Sequence, residues 1–166
     1  MNIRYEIPAD IEAIYTVNQQ AFERPGEGNV VNAIRKSGQF IISLVAEDAG
    51  KIIGHIFFSP VRIDGFDAKA LGLGPMAVLP EYQKQGIGSK LITQGLQECK
   101  THGYGVVVVL GHPEYYPKFG FAPARNLGLT CKWDVPDEVF MAQEVIPGGL
   151  GTLRGLVEYD PAFDAV

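Results

Sequence analysis

Apolar residues recur at helical spacing near the start of the chain. Over residues 8–22 they fall on one face of a helix, and Asp10 is placed to cap its first turn. The members of this face are Ile11, Ile14, Tyr15, Val17, Ala21 and Phe22. Residues 24–29 include a proline and two glycines, which predict a break. A shorter helix follows and is expected to end at Gly38.

The clearest helical pattern covers residues 89–101. Lys90, Gln94 and Gln97 lie away from its apolar face, and Gly103 follows the predicted end. The apolar face contains Ile87, Leu91, Ile92, Leu96 and Cys99. One face of this helix should therefore pack against a core.

Other segments have the pattern of β-strands. Residues 40–47 and 52–63 are apolar runs joined by a short glycine-containing link, which predicts a hairpin, and residues 70–78 form a third run. Residues 106–110 lack polar alternation, which predicts a strand buried on both faces. After it, a short helix fits residues 114–119. The β-like stretches of the tail are residues 139–145 and 152–159.

Composition narrows the classes of protein. With 166 residues, 46% hydrophobic and 20% charged, the chain is predicted to be one domain, residues 1–166. A net charge of −5 argues against a nucleic-acid partner. The longest apolar run has five residues, too few to span a bilayer, so no membrane partner is expected. No signal peptide is visible at the start of the sequence. Cys99 and Cys131 are expected to be buried reduced thiols, which favours a cytoplasmic location.

The segment after the third β-run is a strand-to-helix turn that could bind a phosphate. The first turn of a helix offers N–H groups and the positive end of the dipole. Gly86 and Gly88 remove side chains where a phosphate would approach, and Gln83 and Ser89 can donate hydrogen bonds. Two glycines also occur in turns that bind nothing. The dinucleotide fingerprint fails because residue 91 is Leu, and a P-loop fails because no Lys separates Gly88 from Ser89.

Two motifs resemble the GNAT superfamily of N-acetyltransferases. Residues 83–88, Gln-Lys-Gln-Gly-Ile-Gly, match its Gln/Arg-x-x-Gly-x-Gly/Ala signature. Residues 115–121, Tyr-Tyr-Pro-Lys-Phe-Gly-Phe, are similar to its Phe-Tyr-x-x-x-Gly-Phe segment. The resemblance covers roughly residues 1–125, and the form of residues 111–116 is similar to the YhbS branch of the family. The tail after residue 125 carries no recognised motif.

The resemblance implies an α/β (α+β) fold: a mixed, mostly antiparallel central sheet that is splayed between strands 4 and 5, with helices on both faces. Those strands would be residues 70–78 and 105–110. It also implies acetyl-CoA as co-substrate and no metal. Strand 4 would pair with the pantetheine arm, and the loop would bind the pyrophosphate. The cofactor-binding residues implied are Met76, Ala77, Val78, Gln83, Lys84, Gln85, Gly86, Ile87, Gly88, Ser89 and Tyr116.

Direct transfer to an amine needs an acceptor for the amine proton and donors for the oxyanion, and an acid at the sulfur helps. The resemblance places Tyr116 at the family's general-acid position. Neither central strand contains an acid, so the base stays open. Glu114 is a tentative candidate beside His112, although a negative charge at a helix start explains Glu114 slightly better, and a water chain is an equal alternative. His55 is expected to be a core histidine.

The leading hypothesis is an N-acetyltransferase that moves an acetyl group from acetyl-CoA to a primary amine of a small molecule or a protein. The alternative is a non-catalytic acyl-CoA-binding sensor or partner module. The missing strand acids favour the alternative, and the retained Tyr116 opposes it. The acceptor and the acyl length are not readable, and a homodimer is left open. The position after strand 5, where many relatives carry Asn, is Gly111 here, which puts one cofactor contact in doubt.

Overall fold

The computed structural model describes all 166 residues. The chain divides into two compact units: unit 1 contains Met1–Ser59, Gly74–Gly95 and Pro161–Val166, and unit 2 contains Pro60–Leu73 and Leu96–Asp160. The helices are α1 (Ile11–Phe22), α2 (Gly26–Ser37) and α3 (Ile87–Thr101). The strands are β1 (Asn2–Tyr5), β2 (Ile42–Asp48), β3 (Lys51–Ile63), β4 (Phe66–Val78), β5 (Val106–Leu110), β6 (Ala122–Pro123), β7 (Leu129–Thr130), β8 (Phe140–Glu144) and β9 (Gly155–Glu158). The single domain expected from composition stays a prediction.

The sheet is mixed and mostly antiparallel, with hydrogen-bonded order β1-β2-β3-β4-β5-β8-β6. β4 and β5 are parallel, and their pairing runs from Ala70–Val106 to Leu73–Val109. β4 continues to Val78, so its last residues extend beyond the segment that pairs with β5. The predicted fold class, an α/β fold with a mixed and mostly antiparallel central sheet, is confirmed. No helix is long and apolar enough to cross a membrane.

The start of unit 1 differs from the prediction. β1 was not predicted, because four residues that include Arg4 give no strand pattern; it pairs with β2. Asp10 was expected to cap α1, but its carboxylate makes no cap hydrogen bond there. It accepts hydrogen bonds from the Ile7 N–H at 2.8 Å and from Arg4 Nη1 at 2.7 Å. Asp10 is thus the N-cap residue of α1, as predicted, but its carboxylate closes the 3-10 turn before the helix.

α2 begins at Gly26, inside the segment predicted to be a break. Gly28, which was assigned to the break, lies within α2 and is a glycine because a β-carbon there would lie 2.7 Å from Tyr15 Cδ2 of α1. Glycine at this position lets the two helices approach closely and does not interrupt α2. The break itself is shorter and begins at Glu23, whose φ of 57° is left-handed.

α3 confirms its predicted face. Leu91, Ile92 and Cys99 are buried, and the three polar residues assigned to the outer face are exposed. A glycine inside a helix usually costs about 1 kcal/mol relative to alanine. Gly95 is needed here because a β-carbon would lie 2.4 Å from Phe58 Cε1. This contact seats α3 on β3 within unit 1.

In unit 2, β5 is the buried strand that its run of valines predicts, with residues 106–109 at most 1% exposed. At the start of β5, Gly105 packs directly on Gly149, where a β-carbon on Gly105 would lie 2.7 Å from the Gly149 Cα. The Ile146 N–H also donates to the Gly105 carbonyl at 3.3 Å. These contacts join the segment after β8 to the first residues of β5.

Candidate active site

The turn between β4 and α3 contains two residues with left-handed backbone angles, Lys84 with φ 62° and Gly86 with φ 83°. The first helical hydrogen bond runs from the Lys90 N–H to the Gly86 carbonyl at 3.1 Å. The N–H groups of Ile87 and Gly88 precede it and have no acceptor within the helix. Such a turn makes a concave cluster of N–H groups at the positive end of the helix dipole. We call residues 83–88 the anion loop.

Glycine is favoured at position 86 because the backbone there is left-handed. A β-carbon there would meet nothing within 4 Å, so space is not the constraint. Lys84 and Gln85 are exposed, Gly88 and Ser89 are half-buried, and the buried Ile87 side chain anchors the first turn of α3. The anion loop is therefore exposed, while the helix behind it is fixed by a buried side chain.

Gln83 fastens the anion loop to the end of β4. Its Nε2 donates to the Val78 carbonyl at 2.9 Å. A primary amide has a second hydrogen, so the predicted contact with a phosphate stays a prediction. The intervening turn is also fixed, since Leu79 N–H donates to Ile53 at 2.9 Å and Tyr82 N–H donates to Leu79 at 2.8 Å. These hydrogen bonds tie the loop to the end of the strand.

Met76, Ala77 and Val78 are the last residues of β4 and belong to unit 1 with the anion loop. Ala77 and Val78 have buried side chains, and Met76 is half-buried. The backbone of these three residues lies past the last β4–β5 pair, Leu73–Val109. A strand that pairs with an extended ligand needs main-chain groups of this kind.

Tyr116 belongs to unit 2 and begins a 3-10 helix, Tyr116–Phe119, which replaces the longer helix predicted over residues 114–119. Its side chain is buried, with ring centroids 5.3 Å from Tyr115 and 5.8 Å from Phe121 in edge-on contacts. Burial, with a smaller effect of Tyr115, raises the pKa of Tyr116 to about 12. The hydroxyl therefore keeps its proton at neutral pH.

Gln143 of β8 is a residue that sequence reasoning missed. Its Nε2 donates to the Phe119 carbonyl at 2.8 Å and so fastens the end of the Tyr116–Phe119 turn to the sheet. Gly120, with φ 98°, closes the same turn by donating from its N–H to Pro117 at 3.1 Å. A polar side chain within a buried strand was the only signal for Gln143 in the sequence.

The candidate bases lie on the surface. Glu114 and His112 are exposed and stand in the turn before Tyr116. The 3-10 helix starts at Tyr116, so Glu114 is not in a first helical turn, and that explanation of its charge is wrong. The His112 carbonyl accepts from the N–H groups of Tyr115 at 3.1 Å and Tyr116 at 3.4 Å. In the structure, His112 thus acts through its main-chain carbonyl and not through its imidazole.

His55 is fully buried, and burial lowers its pKa to about 3, so it is the core histidine that was predicted. Its Nε2 lies 2.9 Å from Ser43 Oγ, and its Nδ1 lies 3.1 Å from Asn18 Nδ2. The Ser43 hydroxyl is hydrogen-bonded to Glu6, and Arg35 holds the Glu6 carboxylate with two bonds of 2.8 Å. We call these five residues the His55 chain.

The direction of each hydrogen bond in the His55 chain follows from the carboxylate. An ionised Glu6 only accepts, so the Ser43 hydroxyl donates to it and Ser43 Oγ accepts from His55 Nε2–H. Nδ1 of His55 is then the acceptor for Asn18, whose Nδ2 also donates to the Ile14 carbonyl at 3.0 Å. His55 is therefore neutral and fixed as one tautomer, which leaves no lone pair for a catalytic proton.

Comparison with known proteins gives the family. The acetyltransferase (GNAT) domain matches residues 39–123. The uncharacterized N-acetyltransferase YhbS of Escherichia coli K12 is 36% identical over 165 residues, which is 99% of each chain. The crystal structure of E. coli YhbS in complex with CoA has a TM-score of 0.93, with 36% identity, 98% of this chain and 91% of that chain covered.

A second solved structure agrees. The GNAT family acetyltransferase from Brucella melitensis in complex with acetyl-CoA is 36% identical, covers 98% of this chain and 97% of its own, and has a TM-score of 0.82. The match to YhbS extends through the tail after residue 125, where the sequence offered no recognised motif. On the identity and the coverage of these relatives, this chain belongs to the GNAT acetyltransferase family.

Proposed function

We propose that this chain transfers an acetyl group from acetyl-CoA to a primary amine by direct transfer. The observation that carries the proposal is the anion loop, whose left-handed Lys84 and Gly86 lead into the start of α3, where the N–H groups before Lys90 have no acceptor within the helix. The Brucella relative with acetyl-CoA and E. coli YhbS with CoA support it. Both cysteines are free thiols, which supports a cytoplasmic location.

The residues present fit acetyl-CoA. A pyrophosphate would be held by the N–H groups of residues 84–89, with open space above Gly86 for its oxygens. The main chain of residues 76–78 would pair with the pantetheine arm. Acetyl-CoA supplies an activated acyl group and a thiolate leaving group. The chain itself supplies binding, orientation and hydrogen-bond donors.

Tyr116 is proposed to act at the sulfur. As the new N–C bond forms and the C–S bond breaks, the amine loses a proton and the departing thiolate gains hydrogen bonds. A thiol has a pKa near ~8.5, well below the value of about 12 for Tyr116. The hydroxyl therefore stabilises the thiolate as a hydrogen-bond donor and does not lose its proton to it. Solvent takes the amine proton in this proposal, with Glu114 as the rival base.

A thiol-release assay tests the proposal. Purified protein is incubated with acetyl-CoA and a panel of amines, including polyamines, aminoglycosides, amino acids and peptide N-termini. Amine-dependent release of CoA thiol, together with an acetylated product of the expected mass, is the expected result. CoA binding in a calorimeter without any amine-dependent thiol release would favour the alternative, a non-catalytic acyl-CoA-binding module.

A further inference from the structure

Gly111, the residue after β5, is a glycine for reasons of space. Its φ does not lie in the left-handed region, so backbone freedom does not require glycine there. A β-carbon would instead lie 2.3 Å from Tyr116 Cε2, 2.8 Å from Cδ2 and 3.2 Å from Cζ. Real β-carbons do not approach other heavy atoms to 2.3 Å, so one partner would have to move.

The Gly111 backbone is held in place. Its N–H donates to the Val139 carbonyl at 3.0 Å, next to Leu110–Phe140, the last pair of β5 with β8. The ring on the other side is held as well, by edge-on contacts with Tyr115 and Phe121. The Tyr116 main chain is fixed through its N–H to His112 at 3.4 Å. Added bulk would therefore be relieved mainly by a swing of the Tyr116 side chain about its Cα–Cβ bond, which displaces the far end of the ring.

The contact falls at the functional end of that ring. Cζ carries the hydroxyl and Cε2 is bonded to Cζ, so a displacement at these atoms moves the hydroxyl directly. We propose that Gly111 is a positioning residue, which sets where the Tyr116 hydroxyl lies by leaving room for the ring beside the strand end. The proposal rests on the proposed function, in which that hydroxyl stabilises the departing thiolate.

A double-mutant cycle on turnover tests the proposal. Gly111→Ala should lower kcat by roughly tenfold to a hundredfold, the value of one hydrogen bond to a charged group, while the affinity for CoA changes less than about twofold. Tyr116→Phe should lower kcat by a similar factor. The double variant Gly111→Ala/Tyr116→Phe should be no slower than Tyr116→Phe alone, because the hydroxyl is already gone. Losses that multiply in the double variant overturn the proposal.

Gly105→Ala is the matched control. Gly105 stands just before the other end of β5 and is also crowded, by the main chain of Gly149, whose Cα would lie 2.7 Å from a β-carbon. This variant should lose stability in thermal unfolding but keep its kcat per folded molecule. If Gly105→Ala lowers kcat as much as Gly111→Ala does, the effect is a general disturbance of β5 and the proposal is wrong.

The outcomes separate this proposal from the proposed function. An unchanged kcat in Tyr116→Phe, with chemistry shown to be rate-limiting, removes the role of Tyr116 and this inference with it. Multiplying losses remove only the inference. Should Gly111→Ala be too unstable to purify, Gly111→Ala/Tyr116→Leu takes its place. Recovery of folding there shows that the clash is with this ring, and continued failure to fold overturns the proposal.

Discussion

The anion loop and the His55 chain are two polar regions of unit 1 that use hydrogen bonds in opposite ways. The anion loop is made of main chain, and the N–H groups of Ile87 and Gly88 precede the first helical bond, which Lys90 donates to Gly86. The His55 chain is made of side chains from separate elements, and its donors are directed at acceptors inside the protein. One acceptor, Asn18 Oδ1, is buried without a hydrogen-bond partner.

The difference separates binding from stability. Donors at an exposed helix start can exchange water for an anion, so changes in the anion loop should alter ligand affinity and spare the fold. A buried chain of polar groups loses stability when one member is removed, because its partners are left desolvated. Changes in the His55 chain should alter stability and its pH dependence. The predictions below test this separation.

The largest effect is expected for Gly86→Glu. A carboxylate at the start of α3 takes the place of the phosphate and repels it. At ~4 Å and an effective dielectric constant of ~20, two like charges repel by about 4 kcal/mol, so the affinity for CoA should fall by at least about a hundredfold. Calorimetric titration with CoA measures the loss, and circular dichroism checks that the protein is folded.

Gly86→Asn is the control for the backbone angle. Asn tolerates left-handed φ better than other residues with a side chain, and space above Gly86 is open, so this variant should retain most of its affinity. Wild-type affinity in folded Gly86→Glu would remove the anion loop from the proposed site. If Gly86→Asn lost as much CoA affinity as Gly86→Glu, the loss would be due to backbone strain and not to the charge.

The second prediction concerns acid. The folded pKa of His55, about 3, is below its unfolded value of 6.5, so protonation favours the unfolded state. The stability that neutral His55 contributes is present above pH 6.5 and is lost as the pH falls toward 3. One pKa unit corresponds to ~1.4 kcal/mol, so the free energy of unfolding should fall by roughly 2 kcal/mol between pH 6.5 and 5. Urea denaturation at several pH values measures it.

His55→Leu should remove most of that slope, although it lowers stability at every pH. The carboxylates act at lower pH: bonds from Arg4 lower the pKa of Asp10, and although burial alone would raise the pKa of Glu6, bonds from Arg35 and Ser43 lower it overall. The stability that these carboxylates contribute is lost only below about pH 4.5. Above pH 5, the pH dependence of the free energy of unfolding is therefore assigned to His55. An unchanged slope in His55→Leu would show that His55 is not the group that titrates.

Ser43→Ala is expected to have a smaller effect, which again should spare CoA binding. The change leaves the His55 Nε2–H without its acceptor and removes one donor to Glu6, at a cost of about 1 to 2 kcal/mol in the free energy of unfolding. Ser37→Ala is the control, because the Ser37 hydroxyl is also bonded, to the Ile34 carbonyl at 2.6 Å, but the residue is exposed. Equal losses in the two variants would contradict a special role of the buried chain.

The two regions also differ in how far the sequence predicted them. The anion loop was predicted, because its glycines, its strand end and its helix are consecutive in the chain. The reading of His55 as a core residue is confirmed, but its partners were not predictable, since they stand 12 and 37 residues away. The same limit explains Gly28, which was read as part of a break but is a glycine within α2 because Tyr15 of α1 lies so close. Local patterns thus predicted the long helices and most of the long strands, while long-range contacts decided what these glycines and polar residues do.

The smallest effect is expected for Glu114→Gln, which asks whether an acid side chain contributes to chemistry at all. A primary amine with a pKa near ~10.4 is mostly protonated at neutral pH and must lose a proton before it attacks. β4 from Ala70 onward and β5 contain no carboxylate, and Glu114 is exposed, so we expect kcat/KM to change less than about twofold.

The rate should keep rising into the alkaline range and follow the ionisation of the acceptor. Profiles for two acceptors of different amine pKa measure this. A break at one shared pH near neutrality in both profiles, erased by Glu114→Gln, would identify Glu114 as the base and show that this site depends on a side-chain carboxylate after all.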